Sequence, residues 1–523
     1  MFREKIMTIA NNPILKGFYP DPSICRVGDD FYIVCSSFVY FPGVPIFHSK
    51  DLAHWEQIGH VLDRESQLPL HGEISRGIFA PTIREHKGTF YMITTNVDAG
   101  GNFLVTAKDP AGPWSDPYYL GDKECPGIDP SLFFDDDDRC YYVGTRPNPE
   151  GVRYNGDWEI WVQELDLDSM KLVGPSMAIW KGAVKDVIWP EGPHLYKKDG
   201  YYYLIHAEGG TGPEHAISVA RSKELFKWFE GCPRNPIFTH RNLGKNYPVI
   251  YAGHGDLVDD KDGNYYIVML ASRQCKNHCS MGRETFLAKV TWEDGWPVIN
   301  QGVGKLTDQV ELPFEEYRFN QENSYTDIIH FDSKELDDRL VGIERRSEDF
   351  YSLTEKLGFL TLYTRPERIE DICNPSYLGI RQKDYAFAVS CGIDFTPKNE
   401  KECGGLVLFQ NHENHLVMEI VKGESGKQFR VRTVISGKEE IIKSIPVSDG
   451  LVEIGIKAKE QKCQIYIVDE NGQLPVKEDV DLIPYTTEEA GGFVGCTVGM
   501  YTSSNGADSD NRCNFKWISH TKN

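Results

Sequence analysis

Apolar and polar residues alternate along the first three hundred residues in a pattern that recurs five times. Each copy opens with turn residues, runs into a period-two alternation, turns through a short polar hairpin and returns with an aromatic pair. The copies are "GFYPDPSICRVGDDFYIVCSS", "GIFAPTIREHKGTFYMITT", "PGIDPSLFFDDDDRCYYVGT", "WPEGPHLYKKDGYYYLIHA" and "GHGDLVDDKDGNYYIVML", and a third strand such as "FHSKDLAHW" follows. A repeat of about fifty to sixty residues made of short strands predicts a β-propeller, here with five blades over residues 1–305.

After residue 305 the rhythm changes. The polar segment "KLTDQVELPFEEYRFNQENSYTD" lacks the repeat, and we interpret residues 306–330 as a linker. Longer alternating strands follow, among them "DYAFAVSCGIDF", "GGLVLFQNHENHLVMEIV" and "LVEIGIKAKEQKCQIYIV". Antiparallel strands of this kind predict two packed sheets, a β-sandwich over residues 331–523. The predicted fold class is therefore all-β in both domains.

Composition narrows the functions that such a fold could serve. The 523 residues include 78 acidic and 56 basic ones, and the net charge of -22 repels phosphate backbones, which argues against nucleic acid as a partner. No long apolar run and no signal-peptide core are present, so we expect a cytoplasmic protein without a membrane partner. The thirteen cysteines lie in apolar strands, as buried thiols do in a reducing compartment. Whether the chain forms a homo-oligomer stays open.

The repeat places polar residues at corresponding points of different blades. Asp21 lies ten residues before the aromatic pair of its copy, and Asp129 lies twelve before its own. In the fourth and fifth copies, Glu191 and His254 lie one residue ahead of the ten-residue position. Taken alone, Asp21 between two prolines indicates a turn. Because the inner strands of a propeller surround a central channel, the three carboxylates are expected to converge at one end of it.

Converging carboxylates raise one another's pKa and cost stability, so their presence calls for a function. Glycoside hydrolysis uses such groups: a protonated carboxyl gives its proton to the leaving oxygen, and an ionised carboxylate activates water. A cage of oxygen ligands for calcium is the alternative that the same residues allow. The segment "RQCKNHCSMGRE" brings two cysteines and a histidine together, but one cluster without further ligands indicates an ordinary loop rather than a zinc site.

Six segments in order resemble the successive signatures of family 43 glycoside hydrolases. They are "YPDPSI", "GIFAPTIREHKGTFYMITT", "GIDPSLFF", "WPEGPHLYKKDGYYYL", "AGHGDLV" and "GRETFLAKVTWEDGW". Enzymes of that family are five-bladed propellers that invert the anomeric centre, mostly β-xylosidases, α-L-arabinofuranosidases and arabinanases. The late segment "EEAGGFVGCTVGMYTSSNG" is similar to the concanavalin A-like β-sandwich of the exo-acting xylosidase branch. The resemblance covers nearly the whole chain.

The resemblance implies a role for each candidate residue. Asp21 is expected to be the general base and Glu191 the general acid, with Asp129 orienting the acid and raising its pKa. Arg283 is expected to bind sugar hydroxyls through its rigid fork of donors. His254 is expected beneath the sugar, either as a hydrogen-bond partner or as the one protein ligand of a hydrated calcium ion.

The resemblance also implies how the sugar is enclosed. Phe38 and Phe79 are expected to form the apolar wall, and the "TSSNGADSDN" segment from Thr502 is the candidate for a sandwich loop that closes the pocket. Many xylosidases of this type have tryptophan at the position of Phe79 and an aromatic residue at that of Ile128, so this chain departs from them twice.

The expected function is release of terminal β-D-xylose from xylo-oligosaccharides by an exo-acting, inverting enzyme. The alternative is an α-L-arabinofuranosidase or a bifunctional enzyme acting on arabino-oligosaccharides. Outside catalysis, a propeller lectin or a catalytically inactive binding module stays open. Polar residues that differ between the corresponding positions of the blades favour one asymmetric central site over a lectin with one site per blade.

Overall fold

The computed structural model describes residues 7–317, 326–424, 426–469 and 472–522. Its N-terminal part consists of five antiparallel sheets of four strands each, and every sheet is built from consecutive segments of the chain. Blade 1 comprises β2 (Ser23–Val27), β3 (Asp30–Val34), β5 (Gly43–Ser49) and β6 (Glu56–Leu62); blade 2, β7 (Thr82–His86), β8 (Thr89–Asn96), β9 (Gly101–Ala107) and β10 (Tyr118–Tyr119); blade 3, β11 (Ile128–Phe134), β12 (Cys140–Pro147), β13 (Trp158–Asp166) and β14 (Lys171–Trp180); blade 4, β15 (Glu191–Lys198), β16 (Tyr201–Glu208), β17 (Ala216–Ser222) and β18 (Glu230–Gly231); blade 5, β19 (Val249–Asp259), β20 (Tyr265–Arg273), β21 (Glu284–Glu293) and β22 (Trp296–Ile299).

The five sheets close into a ring. The inner strands β2, β7, β11, β15 and β19 contact one another in that order, and β19 contacts β2. This arrangement is the predicted five-bladed propeller, whose inner strands surround a channel. Outside the blades, β1 (Thr8–Asn11) pairs with β23 (Gln309–Leu312). The Asn12 side chain extends this clasp by donating to the carbonyl oxygens of Leu287 and Thr307, both at 2.9 Å.

The C-terminal part is a sandwich of two antiparallel sheets. The larger sheet has the order β26 (Tyr351–Ser352), β27 (Leu360–Tyr363), β38 (Arg512–Lys522), β29 (Ala386–Asp394), β34 (Leu451–Lys459), β35 (Lys462–Asp469) and β36 (Gly472–Asp481), with β24 (Thr326–His330) also paired to β38. The smaller sheet has the order β28 (Ser376–Arg381), β37 (Thr497–Ser503), β30 (Cys403–Asn411), β31 (Asn414–Gly423), β32 (Gly426–Ile435) and β33 (Lys438–Pro446). Side chains such as Phe387, Leu406, Ile454 and Phe515 form the core between the sheets.

The segment that we interpreted as a linker, residues 306–330, carries strands at both ends. β23 belongs to the propeller clasp, and β24 already belongs to the sandwich, so the sandwich begins before residue 331. Residues 318–325 lie outside the described part of the chain. Helical structure in the described part is limited to α1 (Thr487–Ala490) and three single turns, at Glu65–Gln67, Arg241–Leu243 and Ile483–Tyr485. No helix there has the length and apolar character that a membrane crossing requires.

The two domains share a hydrophobic core. β4 (Tyr40–Phe41) of the propeller pairs with β25 (Gly342–Ile343), which lies between β24 and β26 of the sandwich along the chain. Phe18 and Tyr40 pack in one buried cluster with Tyr377 and Tyr501 of the sandwich. Eleven of the thirteen cysteines are buried free thiols, as predicted, and Cys275 and Cys373 are half-buried. The shared core fixes the sandwich against the mouth of the channel.

Candidate active site

Four blades have a residue in the left-handed backbone region at or near the start of the inner strand, or within that strand in blade 5. The φ angles are 52° at Asp21, 53° at Asp129, 55° at Gly192 and 47° at His254. Non-glycine residues adopt this region rarely and at some cost in energy, and such residues concentrate at functional sites. The strand register also shifts between Ile128 and Ser131, Glu191 and His194, and Gly253 and Gly255. Bulges of this kind turn side chains toward new directions.

The left-handed position aligns His254 with Asp21 and Asp129, whereas Glu191 keeps its one-residue offset. In blade 4 the left-handed residue is Gly192, and Glu191 precedes it, whereas in blade 5 His254 itself is left-handed. A Cβ atom on Gly192 would lie 2.8 to 3.0 Å from atoms of the His254 ring. Glycine is therefore required at this position both by its backbone angle and by the close approach of the ring.

These parts of the inner strands line one cavity of about 310 Å³. It is lined by all seven predicted site residues: Asp21, Phe38, Phe79, Asp129, Glu191, His254 and Arg283. Blade 2 contributes Ala80 at the corresponding position, so its side of the pocket is apolar. Six further side chains of the lining were not predicted from the sequence: Trp158, Trp189, Thr211, His215, Leu270 and Phe493.

Asp21 is held by donors on both of its oxygens. The Ser36 hydroxyl donates to Oδ2 at 2.7 Å, and Arg283 Nη1 donates to Oδ1 at 2.7 Å. His254 Nδ1 lies 3.8 Å from the same Oδ1. Burial alone would raise the pKa of Asp21, but the charge of Arg283, followed by His254 and the Ser36 hydrogen bond, outweighs burial and holds the pKa below its usual range. Asp21 is therefore an ionised carboxylate at neutral pH.

Glu191 and Asp129 have the opposite electrostatic surroundings. Protein encloses the Glu191 carboxyl, although solvent reaches it through the pocket, and this desolvation raises its pKa well above the usual range. The negative charges of Asp129 and Asp21 raise it further. Burial also raises the pKa of Asp129 to about 6, against the hydrogen bond that Asp129 accepts from the Gly192 N–H at 3.1 Å. The raised pKa keeps Glu191 protonated at neutral pH, so Glu191 is the group that has a proton to give.

Arg283 connects the carboxylates to the pocket wall. Besides Asp21, its Nη1 donates to the Thr211 hydroxyl at 3.2 Å, and its guanidinium lies 5.8 Å from the ring centroids of both Phe38 and Phe493. Thr211 lies in the turn "EGGTGPEH" between β16 and β17. The signal that could have revealed Thr211 is its position between two glycines, in the turn that joins the second and third strands of blade 4.

Three phenylalanine rings form the apolar wall. The ring centroids of Phe38 and Phe79 lie 5.2 Å apart, and those of Phe38 and Phe493 lie 6.1 Å apart. Phe493 comes from the sandwich, just before β37, and its backbone N–H donates to the Ser75 hydroxyl at 2.9 Å. The pocket is thus completed by the second domain.

The prediction that the "TSSNGADSDN" segment from Thr502 closes the pocket is wrong, because none of its residues lines the cavity. Thr502 is buried near the end of β37, its hydroxyl donates to the Cys403 carbonyl at 2.8 Å, and it does not line the cavity. The chain runs through β37 away from the pocket. Phe493, which comes before the strand, therefore lines the cavity, and the segment after the strand does not. Gly491 and Gly492, with φ angles of 74° and 79°, form the turn that presents Phe493.

A calcium ion at His254 stays a prediction. Among the residues that the structure describes, no three His, Cys, Asp or Glu side chains are grouped to hold a metal. Calcium takes roughly six to eight oxygen ligands, and an imidazole nitrogen supplies none of them. The described residues around His254 therefore do not form a protein cage for calcium, and a hydrated ion with His254 as its one protein ligand stays a prediction.

A second polar cluster lies two residues further along the inner strands. Asp256 Oδ2 accepts from the Ser23 hydroxyl at 2.7 Å and from Arg84 Nη1 at 2.8 Å, and Oδ1 accepts from Arg84 Nη2 at 3.0 Å. Tyr196 donates to Oδ1 as well, and the Ile24 N–H donates to Oδ2. We call these residues the Asp256 cluster. It joins blades 1, 2, 4 and 5 across the channel.

Ionised and protonated carboxyls in one pocket of a five-bladed propeller, with an arginine and an aromatic wall, define a glycoside hydrolase. Comparison with known families agrees. The chain belongs to the glycosyl hydrolases family 43, whose sequence model matches residues 10–297, and a beta xylosidase C-terminal concanavalin A-like domain matches residues 328–521. The protein is thus an inverting glycosidase of that family.

Individual relatives cover almost the full chain. It is 72% identical over 512 residues to a xylosidase/arabinosidase from Butyrivibrio fibrisolvens, across 98% of this chain and 99% of that protein. It is 37% identical over 522 residues to a non-reducing end α-L-arabinofuranosidase from Bacteroides ovatus, across 97% and 94%. A crystal structure of a xylan β-1,4-xylosidase from Bacillus halodurans C-125 superposes with a TM-score of 0.92 at 35% identity, across 98% of this chain and 100% of that one.

Proposed function

We propose that the protein releases terminal β-D-xylose from xylo-oligosaccharides. One observation carries the proposed mechanism: Asp21, with a lowered pKa, and Glu191, with a raised pKa, line the same pocket. Asp21 takes a proton from the water that attacks the anomeric carbon, and Glu191 gives its proton to the leaving glycosidic oxygen. Asp129 keeps Glu191 protonated through its own negative charge. Arg283 holds Asp21 ionised and binds sugar hydroxyls.

The shape of the pocket supports exo action on a pentose. Phe38, Phe79 and Phe493 close one side of a cavity of about 310 Å³, so the site resembles a pocket for one terminal sugar rather than an open groove. The exocyclic CH₂OH of a hexopyranose would have to enter this apolar wall. Excluding it requires only the modest discrimination that a hydrophobic pocket supplies.

A second specificity has its own support. Ile128, an aliphatic residue, lines the pocket where many xylosidases of this type have an aromatic one, which leaves room for a differently shaped furanose ring. The names of the relatives, xylosidase/arabinosidase and α-L-arabinofuranosidase, favour the same alternative. We therefore propose α-L-arabinofuranoside hydrolysis as a second activity of the same site.

The test compares kcat/KM for nitrophenyl β-D-xylopyranoside, α-L-arabinofuranoside and β-D-glucopyranoside, and for xylobiose. We expect cleavage of xylobiose and of both pentosides, with the glucoside slower by about 10- to 200-fold or more. Preference for the glucoside would refute the pocket argument. Efficient arabinofuranoside cleavage without xylobiose cleavage would make arabinofuranosidase the principal activity.

A further inference from the structure

The seam between propeller and sandwich contains an unpaired positive charge. Arg381, the last residue of β28, is 2% exposed, and its guanidinium lies 4.6 Å from the ring centroid of Tyr19 in the propeller. None of its three guanidinium nitrogens has a hydrogen-bond partner among the described residues. Arginine keeps its proton in proteins, and a buried charge without a partner is costly. The face of Tyr19 attracts the cation but accepts none of its N–H hydrogen bonds in the usual geometry.

A small cavity adjoins this side chain. Its volume is about 10 Å³, and it lies where β28 and β38 meet Tyr19. His520, which is 6% exposed, also lines it, and His520 Nε2 is a second buried nitrogen without a partner in the described part of the chain. A space of this size holds one particle comparable to a water molecule. The Arg381 nitrogens can only donate, so a ligand in this cavity must accept hydrogen bonds, and His520 Nε2 can join them as a donor in the tautomer that carries the proton on Nε2.

The other charges around the cavity are engaged with one another. Asp327 is the carboxylate of the lining, and it binds Arg339 and lies 3.7 Å from the Lys383 ammonium. Burial, together with the charge of Lys383, lowers the pKa of His520 to about 4, so its ring is neutral at physiological pH. The charge of Arg381 is therefore not balanced by the lining, and the cavity favours an anion over a cation.

We propose that Arg381 and His520 bind a monoatomic anion, chloride, between the propeller and the sandwich. Sulfate and phosphate are too large for the cavity. Chloride would balance the Arg381 guanidinium and join β28, β38 and Tyr19 across the domain boundary. Tyr19 also donates its N–H to the Arg283 carbonyl at 3.2 Å and lies two residues before Asp21. The anion would therefore support the segment that carries the proposed base.

Anomalous diffraction tests the site directly on the unmodified full chain. Crystals are grown in sodium bromide instead of sodium chloride, and data are collected above the bromine absorption edge. We expect an anomalous peak within hydrogen-bond reach of the Arg381 guanidinium and His520 Nε2. Ordinary density without anomalous signal, which is a water molecule, would refute the proposal, and so would the absence of any density.

Thermal denaturation tests the energetic role independently. In sodium chloride the full chain should melt about 2 °C higher than in sodium gluconate of equal ionic strength, and the difference should saturate with chloride. Arg381→Met should abolish the difference. Arg512→Met is the matched control, because Arg512 lies 4.2 Å from the Tyr363 ring but is exposed and paired with Glu355; it should keep the difference. Equal melting of the wild type in both salts would contradict the proposal even if Arg381→Met failed to fold.

Discussion

The propeller channel contains two sites with buried carboxyl groups, and the sites differ in how many positively charged and hydrogen-bonding partners each carboxyl group has. The carboxylate triad of Asp21, Asp129 and Glu191 has one arginine, Arg283, which binds Asp21 alone. Two residues further along the strands, Asp256 is a single carboxylate with a bidentate arginine, a serine and a tyrosine. The pKa of Asp256 is lowered because Arg84 and its hydrogen bonds outweigh burial. The Asp256 cluster stabilises the ring, whereas Glu191 and Asp129 of the triad keep raised pKa values, which acid catalysis can use.

The largest expected effect is loss of activity from the triad. Asp21→Asn and Glu191→Gln should each lower kcat/KM on xylobiose by about 10²- to 10⁴-fold. Asp21→Asn should also lower Tm, because it leaves the buried Arg283 guanidinium without its carboxylate partner, whereas Glu191→Gln replaces a protonated carboxyl and should leave Tm nearly unchanged. Glu191→Gln should spare substrates with good leaving groups, whereas Asp21→Asn should slow all substrates alike. Glu230→Gln on the exposed strand β18 is the control. Equal slowing of activated and unactivated aglycones by Glu191→Gln would remove Glu191 from the acid role.

The same comparison predicts a stability effect at Asp256. Asp256→Asn leaves the Arg84 guanidinium short of its partner, so the free energy of unfolding should fall by about 3 to 5 kcal/mol. Asp259→Asn, at a half-exposed carboxylate of the same strand, should change it by about 0.5 kcal/mol or less. Urea denaturation measures both.

The sign of the pH dependence follows from the lowered pKa of Asp256. Its contribution to stability is present above the pKa of an unfolded aspartate, about 4, and is lost as pH falls toward the folded value. Wild type should therefore lose more stability on acidification than Asp256→Asn. Parallel pH profiles of the two proteins would contradict the structural role.

Removal of Phe493 tests how much of the pocket belongs to the sandwich. Phe493→Ala opens the wall, so KM for xylobiose should rise about 10-fold and discrimination against the glucoside should shrink. Leu357→Ala, at a sandwich residue 84% exposed, should change neither. Unchanged selectivity in Phe493→Ala would mean that the propeller residues alone select the sugar.

The smallest expected effect is a shift in the pH profile. Activity requires ionised Asp21 and protonated Glu191, so kcat/KM should follow a bell whose alkaline limb reports Glu191. Asp129→Asn removes a negative charge that raises the pKa of Glu191, so the alkaline limb should move toward lower pH. Asp138→Asn, at an exposed carboxylate, should leave it in place. A move to higher pH would contradict the assigned coupling.

The sequence contained most of the propeller and its chemistry because both repeat locally. The hairpin at Gly28–Asp30 and the turn at Glu460–Gln461 follow from alternation and turn residues that lie side by side. The repeat also aligned Asp21 with Asp129, Glu191 and His254. The kinks that aim these side chains were not predictable, since a left-handed aspartate leaves no compositional signal.

Contacts between residues far apart in the chain could not be predicted from the sequence for a different reason. Phe493 is 472 positions from Asp21, and nothing in "GGFVGC" states which surface it will face. The pairing of β1 with β23 joins segments about three hundred residues apart, and four-residue strands carry too little periodicity to identify a partner.

That clasp has a consequence for synthesis on the ribosome. At about 5 to 20 residues per second, some 15 to 60 s pass between translation of β1 and translation of β23. Throughout this interval β1 lacks its partner strand, β23. A nascent chain can therefore fold single blades as they emerge. The pairing of β1 with β23 forms only after residues 309–312 leave the exit tunnel. Slow codons shortly before β23 would lengthen the period in which an unpaired edge is open to misassembly with neighbouring chains.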